Sequence, residues 1–356
     1  MTRARSIALV SASLDLIGGH GVQAVALAER LRQEGASVIF IPINPRFPRL
    51  LRVVRRIPYA RTVLNQALYL PSLRRLCEAD VVHVFSASYW SFLLAPVPAM
   101  LLARRLRRRV VLHYHSGEAE DHLANWGRRV HPWLKLADEI VVPSIYLQNV
   151  FARHGYRTRV IPNIVDTERF RFRERNPLRP ALVSVRSLEP HYGVDAVIRA
   201  FVRVRRQYPE ATLTVAGVGG QETALRRLAR EVGEAGIRFV GRVEPHAMPA
   251  LLDGGDVFAN ASVVDNQPVS ILEAFASGLP VVSTGVGDIP ELVRHGETGL
   301  VVPTQDPAAL ADAVARLLEQ PEQARLFARR AHELVTRRGW PSVRSDWMRV
   351  YTGEAA

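Results

Sequence analysis

Two carboxylates, Asp265 and Glu273, stand eight positions apart in ASVVDNQPVSILEAFASGLPVV, which begins at Ala261. Pro268 suits the opening of a helix and Ser270 can cap it, so the pattern predicts Asp265 in the preceding loop and Glu273 one turn inside. The backbone through Asn266, Gln267, Pro268, Val269, Ser270 and Ile271 would then present amide donors at the positive end of a helix. That arrangement suits a phosphate. Glu273 could accept hydrogen bonds from two vicinal hydroxyls, as on a ribose, and Asp265 could hold a second sugar. A carboxylate at a helix start is also an ordinary cap, and spacing alone leaves both readings open.

Two glycine turns follow strand-like runs. AGVGG, Ala216 to Gly220, places Gly217 and Gly219 where backbone could approach a ligand, and LIGGHG, Leu16 to Gly21, does the same with Gly18, Gly19 and His20. Either turn could equally be a tight connection. HYHSGEAED, residues 113–121, brings His113 and His115 to the end of a strand, but its His and acid spacing fits no zinc signature. No Asp-x-Asp pair occurs, so no metal is expected.

These residues need a scaffold, and the chain alternates apolar runs with amphipathic segments throughout. Ile7–Ser11, Ser37–Ile41, Val81–Phe85, Val110–Tyr114, Glu139–Pro143 and Arg159–Pro162 read as strands of a first unit. A second series runs from Ala181–Val185 to Leu300–Val302. The polar stretch Glu168–Pro180 reads as the linker. The expectation is an α/β protein of two doubly wound Rossmann-like domains facing a cleft: residues 1–170, residues 171–335, and a terminal helix over 336–356 packing towards the first domain.

The chain has 356 residues, 48% of them hydrophobic, and one cysteine, which excludes a disordered tail or a disulfide scaffold. Its longest apolar run, Phe92–Ala103, holds two prolines and is too short for the roughly 20 residues of a membrane span. No signal-peptide pattern opens the sequence, and a cytoplasmic protein is expected. Residues 1–180 carry 28 arginines and lysines against 13 acids, whereas residues 181–356 carry 19 against 21. The surplus concentrates in residues 44–76 and 101–110, where arginine interleaves with apolar side chains. Such a mixture suits an anionic membrane surface, although many of these arginines could simply be solvated.

The stretch from Asp265 to Val282 resembles the carboxy-terminal signature of the family 4 glycosyltransferases, retaining enzymes of the GT-B fold. The likeness runs through Ala274, Phe275, Ala276, Ser277, Gly278, Pro280, Gly287, Pro290, Glu291 and Gly299, and back through FVGRVEPHAMPALLDGGDVF, residues 239–258. It covers nearly the whole chain, including the Pro-Asn-x-x-Asp segment at Asn163 and Asp166. The resemblance implies that Glu273 binds a nucleotide ribose and Asp265 faces the transferred sugar. It also implies that His115 contacts that sugar or the acceptor, and that Gly18, Gly19, Gly217 and Gly219 border the donor. His83 is expected to be satisfied within the fold, and Ser144 to approach acceptor or phosphate.

VSVRSLEPHYG, residues 183–193, departs from the family's Gly-Arg-Leu-x-x-x-Lys-Gly segment: Ser187 and Tyr192 stand where the two phosphate-binding cations are usual. Arg186, one position away, is expected to serve the diphosphate, with Tyr192 adding a hydrogen bond. The function implied is metal-independent, retaining transfer from a nucleotide sugar of undetermined base to a glycan or lipid-linked acceptor, at the inner face of a membrane. Loss of the cations keeps a nucleotide-sugar sensor without turnover as the alternative. A nicotinamide oxidoreductase lacks its glycine fingerprint here, and nucleic acid is not the expected partner.

Overall fold

A computed structural model describes residues 6–13, 19–48, 51, 54, 57–233 and 235–354. The chain folds as two compact units, residues 1–164 with 343–356, and residues 165–342. The chain thus changes unit after Ile164 and again within its last helix, where sequence composition had suggested residues 170 and 336.

The first unit contains β1 (Ser6–Ser11), α1 (Gly19–Gln33), β2 (Ser37–Pro42), α2 (Pro58–Ser72), β3 (Val81–Ser86), α3 (Tyr89–Leu94) and α4 (Pro96–Arg105). It continues through β4 (Arg109–Tyr114), α5 (Ala119–Asn125), α6 (Gly127–Leu134), β5 (Glu139–Val142), α7 (Ile145–Arg153) and β6 (Arg159–Val160). All strand pairs are parallel, in the order β2-β1-β3-β4-β5-β6. Every residue of β3 is buried, which explains why VVHVFS does not alternate: helices cover both faces of the sheet.

The second unit contains β7 (Ala181–Val185), α8 (Val194–Gln207), β8 (Thr212–Ala216), α9 (Glu222–Val232), β9 (Ile237–Gly241), α10 (Met248–Asp253) and β10 (Val257–Asn260). Next come α11 (Val269–Ala276), β11 (Val281–Thr284), α12 (Ile289–Leu292), β12 (Leu300–Val302), α13 (Pro307–Glu319) and α14 (Pro321–Thr336). The final helix, α15 (Trp340–Thr352), carries the chain into the first unit. The sheet order is β12-β11-β10-β7-β8-β9, parallel throughout. Alternation is legible in its core: Leu182, Val257 and Val282 pack with Phe201 of α8, while Val183, Phe258 and Val281 pack with Ile271 and Phe275 of α11.

The order of this second sheet reverses between β7 and β10, and a doubly wound sheet opens its ligand crevice at the carboxyl ends of such a pair. Arg186 directly follows β7, and Asn260 ends β10. Glycines let the loops above these strands close on one another. Gly193 has φ 60° and Gly217 φ 143°; a Cβ at the first would strike the Ala261 carbonyl, and at the second the Arg186 carbonyl. Gly219 is crowded in the same way by the Leu188 backbone.

The arginine-rich stretch expected to be a linker is instead bound to the second unit. Arg173 and Arg179 both pair with the fully buried Asp256, at 3.0 and 2.9 Å. Burial alone would raise the Asp256 carboxyl, but the hydrogen bonds from Arg179 and Arg173 outweigh it and hold the group low. Arg175 is buried and donates to the carbonyl of Leu252 in the last turn of α10 and to those of Gly255 and Ser277 just past α10 and α11. Sequence polarity looked like solvation, whereas these cations satisfy helix ends and a buried acid.

Candidate active site

Four groups converge above the β7/β10 junction. Arg186 Nε donates to Asn260 Oδ1 at 2.9 Å, and its Nη2 forms an ion pair with Asp265 Oδ2. The Arg186 guanidinium also lies 4.9 Å from the centre of the Tyr192 ring. Only 10% of the Arg186 side chain and 11% of that of Asp265 are exposed, so the pair is largely withdrawn from water. Arg186 was expected to serve a diphosphate and Asp265 a sugar; each occupies the other here.

Sequence reasoning missed the polar floor beneath this pair. Ser262 Oγ donates to Asn260 Oδ1 at 2.9 Å, Asn260 Nδ2 donates to Ser283 Oγ at 2.9 Å, and Thr284 Oγ1 donates to the Ser262 carbonyl at 2.6 Å. The signal was present as a cluster of hydroxyls and an amide, Asn260, Ser262, Ser283 and Thr284, at the carboxyl ends of two strand-like runs. A buried network of this kind fixes the orientation of its members.

The loop after Asp265 is equally constrained. The Asn266 amide donates to Asp265 Oδ1 at 2.9 Å, Gln267 Nε2 donates to Asp288 Oδ2 at 3.0 Å, and the Asp288 amide donates to the Asn266 carbonyl at 3.1 Å. Gly287, at φ 58°, permits this crossing because a Cβ there would strike the Asp265 carbonyl. Pro268 precedes α11 and makes no side-chain cap. Ser270, expected to cap, lies inside the first turn with its hydroxyl buried and without a hydrogen-bond partner. The first-turn amides of Val269 and Ser270 have no helical acceptor, which leaves a donor set at the positive end of α11.

Glu273 lies in the middle of α11 and keeps only part of its surface exposed. Burial pushes its carboxyl up to about 7, against the opposing pull of Arg169. A group poised near neutrality in a ligand crevice is a functional candidate on physical grounds. Gly217 and Gly219 make their close approach to the chain itself, holding the β8 loop against Arg186 and Leu188. Hydrogen bonds from the Arg186 and Leu188 amides to the carbonyls of Ala216 and Val218, both at 3.0 Å, join the two loops.

In the first unit, His115 follows β4, and its amide donates to the Ser86 carbonyl at 3.2 Å. Its ring stacks on Phe85 at 5.3 Å between centroids and lies 4.0 Å from that of His113. His83 is fully buried, takes Tyr351 as a partner at 2.9 Å, and is driven by burial down to about 3, so it stays neutral within the fold. Ser144 caps α7, its hydroxyl accepting from the Leu147 amide at 3.1 Å. Gly18 lies outside the described residues; Gly19 opens α1. Among the described residues, no group of three or more His, Cys, Asp or Glu could hold a metal ion.

The family model described as Glycosyltransferase Family 4 matches residues 17–169, and that described as Glycosyl transferases group 1 matches residues 179–320. A glycogen synthase of Mycobacterium tuberculosis is 34% identical over 295 residues, spanning 78% of this chain and 69% of its own. The chain belongs to the family 4 glycosyltransferases. A second M. tuberculosis relative, a GDP-mannose-dependent alpha-(1-6)-phosphatidylinositol monomannoside mannosyltransferase, is 32% identical over 268 residues, 68% of this chain and 70% of its own. Anabaena Alr3699/HepE, solved with UDP and glucose, shares the fold at TM-score 0.76 and 19% identity, over 98% of this chain and 100% of that one.

This glycosyltransferase therefore has the two doubly wound domains of the GT-B fold and uses a nucleotide-sugar donor. Among the described residues no helix is long and apolar enough to cross a membrane.

Proposed function

We propose that the protein transfers a hexosyl unit from a nucleoside diphosphate sugar to an acceptor hydroxyl with retention at the anomeric carbon and without a metal ion. The observation that carries this reading is the half-buried Glu273 carboxyl, poised near neutrality on the helix whose amino end also offers free amides. In it, Glu273 receives the ribose hydroxyls, the first turn of α11 receives the diphosphate, and Asp265 receives the transferred sugar. Asn266, Gln267 and Ile271 shape the phosphate loop.

Arg186 has two duties in this scheme. Its Nε stays on Asn260, while Nη2 shifts from Asp265 towards the diphosphate as negative charge accumulates on the leaving group. Tyr192 holds the guanidinium plane during that exchange. A fixed cation at developing charge lowers the barrier by about 3 to 4 kcal/mol, so Arg186 can serve in place of the lysine and arginine this segment lacks. As the bond from anomeric carbon to phosphate oxygen breaks, the departing phosphate oxygen takes the acceptor hydroxyl proton and the acceptor oxygen bonds to the anomeric carbon on the face the phosphate vacates, which gives retention.

The acceptor is read as a lipid-linked saccharide at an anionic membrane surface. Support comes from α2, where Tyr59 (88% exposed), Val63 (70%) and Leu70 follow helical spacing on an exposed stripe. Arg61, Arg74 and Arg75 are exposed nearby along the chain, whereas Arg49, Arg52, Arg55 and Arg56 lie outside the described residues. Aromatic and aliphatic groups beside arginine suit a headgroup boundary. A panel of UDP- and GDP-sugars with lipid extracts, read by product mass and anomeric proton coupling, tests the proposal. Transfer to an extractable lipid with the donor's configuration is expected; an inverted product, or transfer that requires added metal, would contradict it.

The pH dependence follows from Glu273. Its folded pKa, about 7, exceeds the ordinary value of 4.5, so the neutral form favours folding; this contribution is full below 4.5 and lost as pH rises to about 7. Ribose hydroxyls donating to the carboxylate select the ionised form. Donor affinity should thus rise with pH up to about 7 and level off above it, by at most about tenfold per pH unit. Calorimetric titration of UDP and GDP across pH 5.5 to 8.5 checks this, with Glu273→Gln expected to flatten the profile.

A further inference from the structure

The carboxyl ends of β3 and β4 carry three aromatic side chains that the transfer scheme leaves unused. Tyr89 and Trp90 open α3, and Trp126 stands between α5 and α6. The two indoles meet at 90° with centroids 5.4 Å apart, and Tyr89 meets Trp126 edge-on at the same separation. Trp90 is 62% exposed, an unusual state for a side chain with so much apolar surface.

Backbone strain accompanies this exposure. Tyr89 adopts φ 56°, a left-handed conformation that bulky residues avoid and that persists only when surroundings enforce it. The enforcing contacts are visible. Its hydroxyl donates to Asp121 at 2.5 Å, Asp121 accepts again from Asn125 at 2.6 Å, and the Tyr89 ring packs edge-on against His122. His122 is in turn held by Tyr114 at 2.7 Å, and Tyr114 by Ser88 at 2.9 Å. Burial, the Asp121 bond and the Glu118 charge keep the Tyr89 phenol protonated, so this donor is permanent. A strained turn locked by a polar chain thus presents an indole to solvent.

A perpendicular pair of indoles edged by carboxylate and amide groups matches one ligand chemistry closely. A pyranose ring has a C–H face that packs on an indole and an equator of hydroxyls that bond to carboxylates and amides. Asp121 and Glu118 stand beside Tyr89, while the Arg129 guanidinium lies 5.1 Å from the centre of the Trp126 ring, so an ionic ligand of either sign meets a like charge and a neutral one does not. We propose that Tyr89, Trp90 and Trp126 form an acceptor subsite that stacks a neutral pyranose ring, Trp90 supplying the exposed wall and Asp121 with Asn125 the hydroxyl partners. This inference rests on the glycosyl-transfer reading for its role, and extends it by naming the part of the acceptor recognised.

The test uses the full chain and its tryptophan fluorescence, titrated separately with maltotetraose, α-1,6-mannobiose, UDP, GDP and phosphatidylglycerol vesicles. A saturable change with at least one saccharide is expected. Trp90→Ala should weaken that binding tenfold or more while leaving UDP and GDP binding unchanged, and Trp90→Phe should restore most of it. Because Trp90 is exposed, its removal leaves the core intact. Nucleotide binding without any saccharide response would overturn the subsite and spare the transfer reading; saccharide binding without nucleotide would do the reverse. A Trp90-dependent response to vesicles alone would also overturn the proposal in favour of a membrane contact.

Discussion

Glu273→Ala is expected to weaken donor binding about 10- to 100-fold, the cost of hydrogen bonds from ribose hydroxyls to a charged acceptor. The reason lies in the mismatch between this residue and its surroundings. A carboxyl whose ionised form is opposed by burial is a liability to the fold, with Arg169 offsetting only part of the cost. Alanine removes that liability, so the variant should be at least as stable as the parent at pH 8, when the parent carboxylate is ionised. Equal stability with lost affinity is what a ligand-serving group predicts. A thermal unfolding series at pH 6 and pH 8, run beside calorimetry, separates the two effects; falling stability with intact affinity would assign Glu273 to the core.

Arg186→Ala should be more damaging to turnover, by about 10² to 10³ in kcat, because its charge is needed most when the diphosphate departs. It should also reduce stability by up to about 3 kcal/mol, since truncating one partner of a withdrawn ion pair strands the other. Here that stranded group is Asp265, held by the Asn266 amide. The double variant Arg186→Ala with Asp265→Asn distinguishes the contributions: removing both charges should recover much of the unfolding free energy but none of the turnover. Recovery of kcat along with stability would reduce Arg186 to a structural role.

Much of the architecture could be read from periodicity. The short apolar runs that define β1, β3, β4, β7 and β10 mark strands covered on both faces, and the Val194, Val197, Ile198, Phe201 and Val204 stripe of α8 carries the helical repeat. Asp265 and Glu273 were visible because a short sequence interval fixes them on one loop and helix. The Arg186–Asp265 pair was not, because it joins positions 79 apart that meet only when β10 is laid beside β7. Local chemistry also had more than one outlet. Ser144 before an apolar run served as a helix cap, and Ser270 lay two residues too deep to cap its own helix.

The arginines of residues 173–179 show the limit of composition as a guide to exposure. Their charge suggested a solvated linker, yet Asp256 and the carbonyl ends of two helices give them partners that no local pattern announces. Tyr89 is a parallel case: Ser-Ala-Ser-Tyr-Trp contains no glycine, so nothing in its spelling marks a left-handed turn. Such positions become legible only once long-range hydrogen bonds are known.

A crystal structure with bound UDP or GDP tests the central claim most directly. The ribose hydroxyls should lie within about 2.6 to 3.2 Å of the Glu273 carboxylate, with the diphosphate over the first turn of α11. A nucleotide seated elsewhere, its ribose beyond the reach of Glu273, would contradict the account.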